Sequence, residues 1–531
     1  MSYRVVIPTA GIGSRLEKLT KYLNKSLVSL ANRPILSHLI DQFPKTCDFV
    51  IPLGYKGDLV KDFLELSYPN RTFQFVNVKP YEGKGSGLGY TLLCCKKYLQ
   101  EPFVFISCDT LVKEPIPKPK FNWMGYAIKK KIFSYRTLQI KENKITQINE
   151  KNISLLEKQS PYIGLAGIYD HKIFWNEMEK GRQIAIQQGE VFGLRKILKR
   201  GTVQSLKFTW FDTGTLEGLA KTKKLYNNLN GINILEKENE AIWFLGNKVI
   251  KFSTDPMFIK NRFIRAKKLK RFIPKVLYLK KNMYSYNKFN GKVLSKIVTL
   301  PLFNNLLETC KFFWKKRNLI IEEKVIFNKN CHKFYYEKTL ERINLFYKKF
   351  NKKDGTESIN GEAMPSLLNL LNCIDWKDLT NGLPGRFHGD LHFENILYCS
   401  KKKTFKFLDW RQDFAGNLEV GDIYYDLAKL LHGLIVSHEV IAKNHFSADW
   451  KNNKISFKLN RRPILKKCEI RFNQWCIKNN FSLRKIRILT GLIYLNIAAL
   501  HHHPYSFLLY ALGKSMLKKE LINDICYYKK Y

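Results

Sequence analysis

His388-Gly389-Asp390-Leu391-His392-Phe393-Glu394-Asn395, followed by Phe407-Leu408-Asp409-Trp410, fixes the reading of the second half of this chain. An Asp stands five residues before an Asn, and a second Asp ends the next apolar strand. Phosphoryl transfer from a nucleotide needs this set of groups. One carboxylate orients the attacking hydroxyl, while an Asn and a second carboxylate hold Mg²⁺ against the phosphates.

The spacing H-x-D-x-x-x-x-N resembles a kinase catalytic loop. With Gly421-Asp422-Ile423-Tyr424-Tyr425-Asp426-Leu427-Ala428 behind it, the order is similar to that of the aminoglycoside phosphotransferase and choline kinase class, over roughly 240–510. The resemblance implies a bilobal α+β protein-kinase-like domain that acts on small molecules with ATP. It makes Asp390 the catalytic base or hydroxyl orienter, and Asn395 and Asp409 the Mg²⁺ ligands. Asp422 and Asp426 would cap a helix and brace the catalytic loop, and His388 would brace it too. Upstream, Ala241–Leu245 and Val249–Phe252 flank Gly246-Asn247 and read as a β-hairpin. Lys251 lies on its second strand, where kinases keep a nucleotide-binding lysine. Two departures stand out. No glycine-rich flap is evident. No Glu between Phe258 and Arg271 can pair with Lys251, because that helix is basic, with Lys260, Arg262, Arg265, Lys267 and Lys268. The missing Glu motivates an alternative, a regulatory pseudokinase.

The first half carries a different nucleotide chemistry. Val5-Val6-Ile7-Pro8 reads as a buried strand running into Thr9-Ala10-Gly11-Ile12-Gly13-Ser14-Arg15-Leu16 and then a helix. A glycine loop between strand and helix lets backbone N–H groups approach phosphates. Arg15 and Lys25 add two cations suited to a triphosphate. Phe103-Val104-Phe105-Ile106-Ser107-Cys108-Asp109 is an apolar strand followed by a carboxylate, and Trp210-Phe211-Asp212-Thr213-Gly214-Thr215 comes much later. Two Asp on separate segments can share one Mg²⁺ and leave room for phosphate oxygens.

These motifs together resemble the sugar-phosphate and small-alcohol-phosphate nucleotidyltransferases over nearly all of residues 1–228. The resemblance implies a mostly parallel α/β sheet of the GT-A, Rossmann-like kind. Ala10, Gly11, Gly13, Ser14, Arg15 and Gly87 would bind the nucleotide, and Arg15 and Lys25 would be catalytic. Glu150, Lys151 and Gly167 would face the acceptor, and Asp109 and Asp212 would bind Mg²⁺. For the strand around Gly167, a plain core strand with close backbone packing is the equal alternative. The chain departs from the family at Asn24, where a Pro is usual, and in the glycine-rich Gly83–Gly89.

The remaining numbers bound the setting. At 531 residues, with 45% hydrophobic and 14% aromatic content, the chain suits two to four packed domains. We expect a nucleotidyltransferase domain at 1–228 and a kinase-like domain at 232–531, with lobes at about 232–290 and 291–531, joined by a linker rich in Asn and Gly. The net charge of +46 is mostly Lys spread along both halves, as codon bias in an AT-rich sequence would give. No nucleic-acid partner is expected, and weak peripheral contact with anionic membrane is the secondary property that the charge leaves open. Eleven Cys show no C-x-x-C pair, and the N-terminus shows no signal-peptide core, so a reducing cytoplasm is the expected compartment. The whole reads as a bifunctional enzyme using ATP, a second NTP, Mg²⁺ and a sugar or small alcohol, in the service of surface polysaccharide. The acceptor, the NTP base and the oligomeric state are not legible.

Overall fold

Strand Arg4–Val6 is buried on both faces: Val5 and Ile7 point into one apolar cluster and Val6 into another. The same split recurs in Asp48–Leu53 and Phe103–Ile106, as expected of parallel strands covered on both sides. The computed structural model describes residues 3–129, 132–152, 159–227 and 238–528. Of the expected linker, Leu225 to Ile232, residues 225–227 end helix Leu216–Asn227, and 228–232 lie outside the described residues.

The large sheet has nine strands, in the order Phe73–Asn77, Asp48–Leu53, Arg4–Val6, Phe103–Ile106, Ser160–Ile168, Trp123–Tyr126, Gln204–Lys207, Lys144–Asn149, Thr137–Lys141. The first four pair in parallel. Beyond them Ser160–Ile168 runs antiparallel to both neighbours, and Lys144–Asn149 is antiparallel to Thr137–Lys141. The sheet is therefore mixed, which corrects the expectation of a mostly parallel one. The cause is local. Glu142 and Asn143, both at positive φ, close a two-residue turn, and a turn that short can join only antiparallel strands.

A smaller sheet has the order Glu240–Leu245, Lys248–Ser253, Met283–Asn287, Val276–Leu279. Its first two strands form the hairpin at Gly246-Asn247. The chain divides into two units, Met1–Pro256 with Leu277–Tyr286, and Met257–Val276 with Asn287–Tyr531. The smaller sheet thus groups with the first unit and shares its core. Trp243 is fully buried, meets Phe63 edge-on at 5.3 Å and donates its indole N–H to Ser29 Oγ at 2.9 Å. Trp243→Ala is expected to cost about 3–5 kcal/mol, as large aromatic truncations in cores do. An unchanged urea midpoint would contradict this burial.

The second unit is mainly helical. Helix Ile423–Ile435 is buried along nearly its whole length, and helices Pro463–Lys478, Leu483–Ala498 and Tyr505–Tyr528 follow it. An antiparallel hairpin, Ile396–Cys399 with Thr404–Phe407, lies between Asn395 and Asp409. No helix of the described residues is long and apolar enough to cross a membrane.

Candidate functional site

In the first unit the glycine loop and Asp109 both emerge from the carboxyl ends of neighbouring parallel strands, where open α/β sheets place ligands. Gly13 sits at φ +72°, and a Cβ there would lie 2.7 Å from Lys25 Cβ. Only glycine lets the loop turn over the lysine stem. Asn24, at the family's usual proline position, is buried and fully bonded. Its amide donates to the carbonyls of Thr9 (2.8 Å) and Tyr55 (2.7 Å), and its oxygen accepts from the Ser26 amide (3.0 Å) and hydroxyl (2.8 Å). It fixes the turn that aims Lys25.

Lys25 Nζ lies 2.8 Å from Asp109 Oδ2, and Arg15 Nη2 lies 3.6 Å from the same oxygen. Burial pushes the Asp109 carboxyl up, but the Lys25 ammonium, backed by Arg15, overrides it and holds the group below its ordinary range. Asp212 reaches the same place through a two-stranded ladder, Trp210–Asp212 against Thr110–Val112, in which Asp212 pairs with Thr110. Thr213 N donates to the Asp109 carbonyl at 3.0 Å. A Cβ on Gly214 would lie 2.6 Å from Asp109 Oδ2 and 3.3 Å from Asp212 Oδ1, so both carboxylates border one small space. Asp212 Oδ2 also accepts from Tyr135 Oη at 2.7 Å, with Lys129 Nζ at 3.8 Å. Lys129 and Tyr135 were not foreseen, since nothing in their local pattern marks them.

Of the other expected residues, Gly87 precedes helix Leu88–Cys95, and a Cβ on it would lie 2.5 Å from the Ile186 carbonyl. Glu150 is held by Arg195 at 2.6 Å and Arg136 at 3.0 Å. Lys151 is exposed and lies within electrostatic range of Arg136 and Arg15. Gly167 faces the Trp123 indole, where a Cβ would come within 2.0 Å of Nε1. Lys251 is buried on its strand opposite Ile242.

In the second unit the hairpin flanked by Asn395 and Asp409 joins the two in space, since Leu408 N donates to the Asn395 carbonyl at 2.7 Å. Asn395 Nδ2 donates to the Asp390 carbonyl at 3.0 Å and to its carboxylate at 3.1 Å. Asp390 Oδ1 lies 2.8 Å from Lys429 Nζ, and its Oδ2 lies 3.6 Å from His392 Nε2. Burial raises the Asp390 carboxyl, but Lys429 and then His392 override it and drive the group well below its usual range. Burial lowers the His392 imidazole, but Asp390 and Glu394 override it, and it is pushed up to about 9.

The loop itself is clamped. Asp426 Oδ2 accepts from His388 N (2.6 Å) and the Trp314 indole (2.9 Å), and its Oδ1 accepts from Gly389 N (2.6 Å). Asp422 caps helix Ile423–Ile435 by accepting from Tyr424 N at 2.9 Å. Buried Arg265 donates to the carbonyls of Phe387 (2.6 Å), Leu418 (3.2 Å) and Arg411. Arg262, on the same basic helix Pro256–Leu269, lies 3.3 Å from Asp409 Oδ1. Asp409 itself sits at φ +58°, an uncommon conformation for a non-glycine residue. Lys429 was legible but missed: Asp422, Asp426 and Lys429 follow a one-face helical spacing.

His388 accepts from Asp390 N through Nδ1 at 3.2 Å and is fully buried, and burial pushes its pKa down to about 3. The unfolded chain binds that proton near pH 6.5, while the folded chain refuses it until about pH 3. Stability is therefore lost as pH falls through this window. His388→Asn keeps an acceptor for Asp390 N but cannot titrate. The urea midpoint of the unsubstituted protein should drop more between pH 7 and pH 5 than that of the variant. Equal drops would contradict the assignment.

Asp109 with Asp212, and Asn395 with Asp409, are oxygen donors of the kind Mg²⁺ prefers. Among the described residues no group of three or more His, Cys, Asp or Glu forms a metal site alone. Asp109 and Asp212, which border one space, thus fit an ion that keeps waters and takes substrate phosphate oxygens as its remaining ligands, and Asn395 and Asp409 are oxygen donors of the same kind at the base of one hairpin.

No protein-family model matches the chain. Its N-terminal part is similar to curated sugar-phosphate nucleotidyltransferases. It is 26% identical over 259 residues to the bifunctional protein GlmU of Methanocaldococcus jannaschii, covering 46% of this chain and 59% of that protein. It is 22% identical over 149 residues to the UTP–glucose-1-phosphate uridylyltransferase of Haemophilus ducreyi, covering 24% and 50%. The match thus spans about half the length of these relatives. Among solved structures, a UDP-glucose pyrophosphorylase complexed with UDP-glucose is 18% identical, covers 43% of this chain and 99% of its own, and superposes with a TM-score of 0.37. The CTP:phosphocholine cytidylyltransferase of Streptococcus pneumoniae is 16% identical, covers 42% and 99%, and superposes with a TM-score of 0.36.

Proposed function

We propose that the chain is a bifunctional enzyme. Residues 232–531 phosphorylate a small hydroxyl compound, a sugar or sugar-like compound, with ATP. Residues 1–228 couple the resulting phosphate to an NTP, release pyrophosphate and yield a nucleotide-activated precursor for surface polysaccharide. The observation that carries this reading is that each unit holds its own pair of metal-competent oxygen donors next to cations that can meet phosphate: Asp109 and Asp212 beside Lys25 and Arg15, Asn395 and Asp409 beside Arg262.

In the first unit an oxygen of the acceptor phosphate attacks the α-phosphorus of the NTP, and the bond to pyrophosphate breaks. The phosphate is already anionic, so no side-chain base is needed. Lys25 and Arg15 neutralise charge and hold the reactants in line. The GlmU and uridylyltransferase relatives support nucleotidyl transfer to a sugar phosphate in this half. In the second unit the acceptor hydroxyl attacks the γ-phosphorus, the bond to ADP breaks, and the proton passes to Asp390. A carboxylate with so low a pKa is a weak base, so Asp390 orients the hydroxyl and takes the proton late, as a loose transition state permits. Mg²⁺, when bound, neutralises the phosphate oxygens in both halves. Separate assays of ADP release from ATP and of pyrophosphate release from an NTP test the two halves; failure of either removes that half.

One observation favours a second reading. Helix Pro256–Leu269 contains no acidic residue, and its Arg262 engages Asp409, a proposed metal ligand. A nucleotidyltransferase with a regulatory pseudokinase would keep this arrangement and turn over no ATP.

A further inference from the structure

Near Asp390 the second unit gathers three cations, Lys338, Arg342 and Arg411, that form no ion pair among the described residues. A π-helical turn, Lys333–Glu337, links helices Ile321–His332 and Lys338–Phe350. Such turns re-aim side chains and often lie at functional sites. Here the turn presents Phe334, and two cations rest on that ring: Lys338 Nζ at 4.2 Å and Arg411 Cζ at 4.7 Å. Arg411 lies over the catalytic loop, since a Cβ on Gly389 would lie 2.6 Å from Arg411 Cβ. Arg342 stands one turn after Lys338 on the same helix, a like-charge spacing that costs stability. Among the described residues, none of Lys338, Arg342 and Arg411 has a carboxylate within ion-pair distance. Asp390 is already answered by Lys429 at 2.8 Å and by His392. Burial, then Arg411, Lys429 and Arg342, push the Lys338 ammonium down to about 6, while Asp390 opposes them.

Lysines on an open surface are solvated and need no partner. All three side chains are half-buried; Lys338 and Arg411 share one aromatic ring, Arg342 acts on Lys338 from the next turn, and Asp390 acts on Lys338 electrostatically. Cations held together this way carry a standing cost that an anionic ligand would relieve. A site for a quaternary amine or a polyamine would need the opposite charge.

We infer that the acceptor alcohol of the second unit carries its own oxyanion, a carboxylate or a phosphate, which seats among Lys338, Arg342 and Arg411 while its hydroxyl faces Asp390. This rests on the phosphotransfer reading of that site. It narrows the substrate to acidic sugars, hydroxy acids or sugar phosphates, and sets choline, ethanolamine and aminoglycosides aside.

The test uses the full chain with MgATP and matched pairs: glucose with glucuronate, glucose with glucose 6-phosphate, and glycerol with glycerate, plus choline and ethanolamine. ADP release gives turnover, and calorimetry in the presence of a non-hydrolysable ATP analogue gives binding. The anionic member should be favoured at least about tenfold, the scale of a charge-assisted hydrogen bond. Lys338→Met and Arg342→Met should each erase most of that preference and leave the KM for ATP unchanged, while Lys338→Arg should retain it. The glucuronate, glycerate and glucose 6-phosphate arms tell carboxylate from phosphate. No preference for anions in either readout would overturn the inference, as would variants that change only the KM for ATP. A binding preference for anions without ADP release from any acceptor would uphold the anion site and sink the phosphotransfer reading.

Discussion

Asp109→Asn is expected to reduce nucleotidyl transfer by about a thousandfold, the upper range for losing one preorganised electrostatic group at a phosphoryl centre. The size follows from what Asp109 does. It borders the Gly214 space together with Asp212, it fixes Lys25 at 2.8 Å, and it draws Arg15 to 3.6 Å. One substitution therefore removes a proposed metal ligand and the negative charge that holds both cations proposed to meet the triphosphate. Asn keeps the shape, so Lys25 retains a hydrogen-bond acceptor and the local fold survives. Alanine would take from the lysine the carboxylate that answers it, a costly state for a largely buried charge. Pyrophosphate release from NTP and a sugar 1-phosphate measures the effect, with ADP release by the second unit as the internal control. A loss under tenfold would mean that Asp109 is not a metal ligand.

Asp390→Ala is expected to reduce ATP-dependent phosphorylation by about a thousandfold, within the range for removing a positioned acid–base group. Pyrophosphate release from acceptors that already carry phosphate should be unchanged. Among the described residues the variant removes the only carboxylate that pairs with Lys429, and it takes away one of the three partners of the Asn395 amide nitrogen. Lys429→Met gives a companion measurement. It should leave a more basic Asp390, so the residual rate should rise with pH at a higher apparent pKa than in the unsubstituted protein. ATP turnover unaffected by Asp390→Ala would favour the regulatory reading that Arg262 and its basic helix motivate.

The contacts at these sites were legible to different depths. Spacing alone revealed the hairpin at Gly246-Asn247, because turn chemistry and strand alternation are local properties. The pair Asp109 and Asp212 could be proposed from two dispersed motifs. The ladder of Thr110–Val112 with Trp210–Asp212 that joins them is a long-range pairing no local pattern announces. The mixed sheet was misjudged for the same reason: the parallel part comes early in the chain, and the hairpin at Glu142-Asn143 lacks the glycine that usually marks a two-residue turn. Asn24 looked like a loss because a family proline is absent. Only the structure reveals the two carbonyls it satisfies. Arg262 and Arg265 were noted as a missing Glu. Their actual partners, Asp409 and three backbone carbonyls, lie more than a hundred residues downstream.

The most direct test of the account is a product screen by mass spectrometry. Purified protein receives ATP, CTP, UTP, GTP, dTTP, Mg²⁺ and a pool of sugars, sugar acids, polyols and amino alcohols, none phosphorylated. A new nucleotide-linked product is expected that disappears in Asp390→Ala and in Asp109→Asn, and that returns in Asp390→Ala when the phosphorylated acceptor is supplied. A nucleotide-linked product that forms only from phosphorylated compounds, at the same rate with Asp390→Ala, would contradict the coupled pathway.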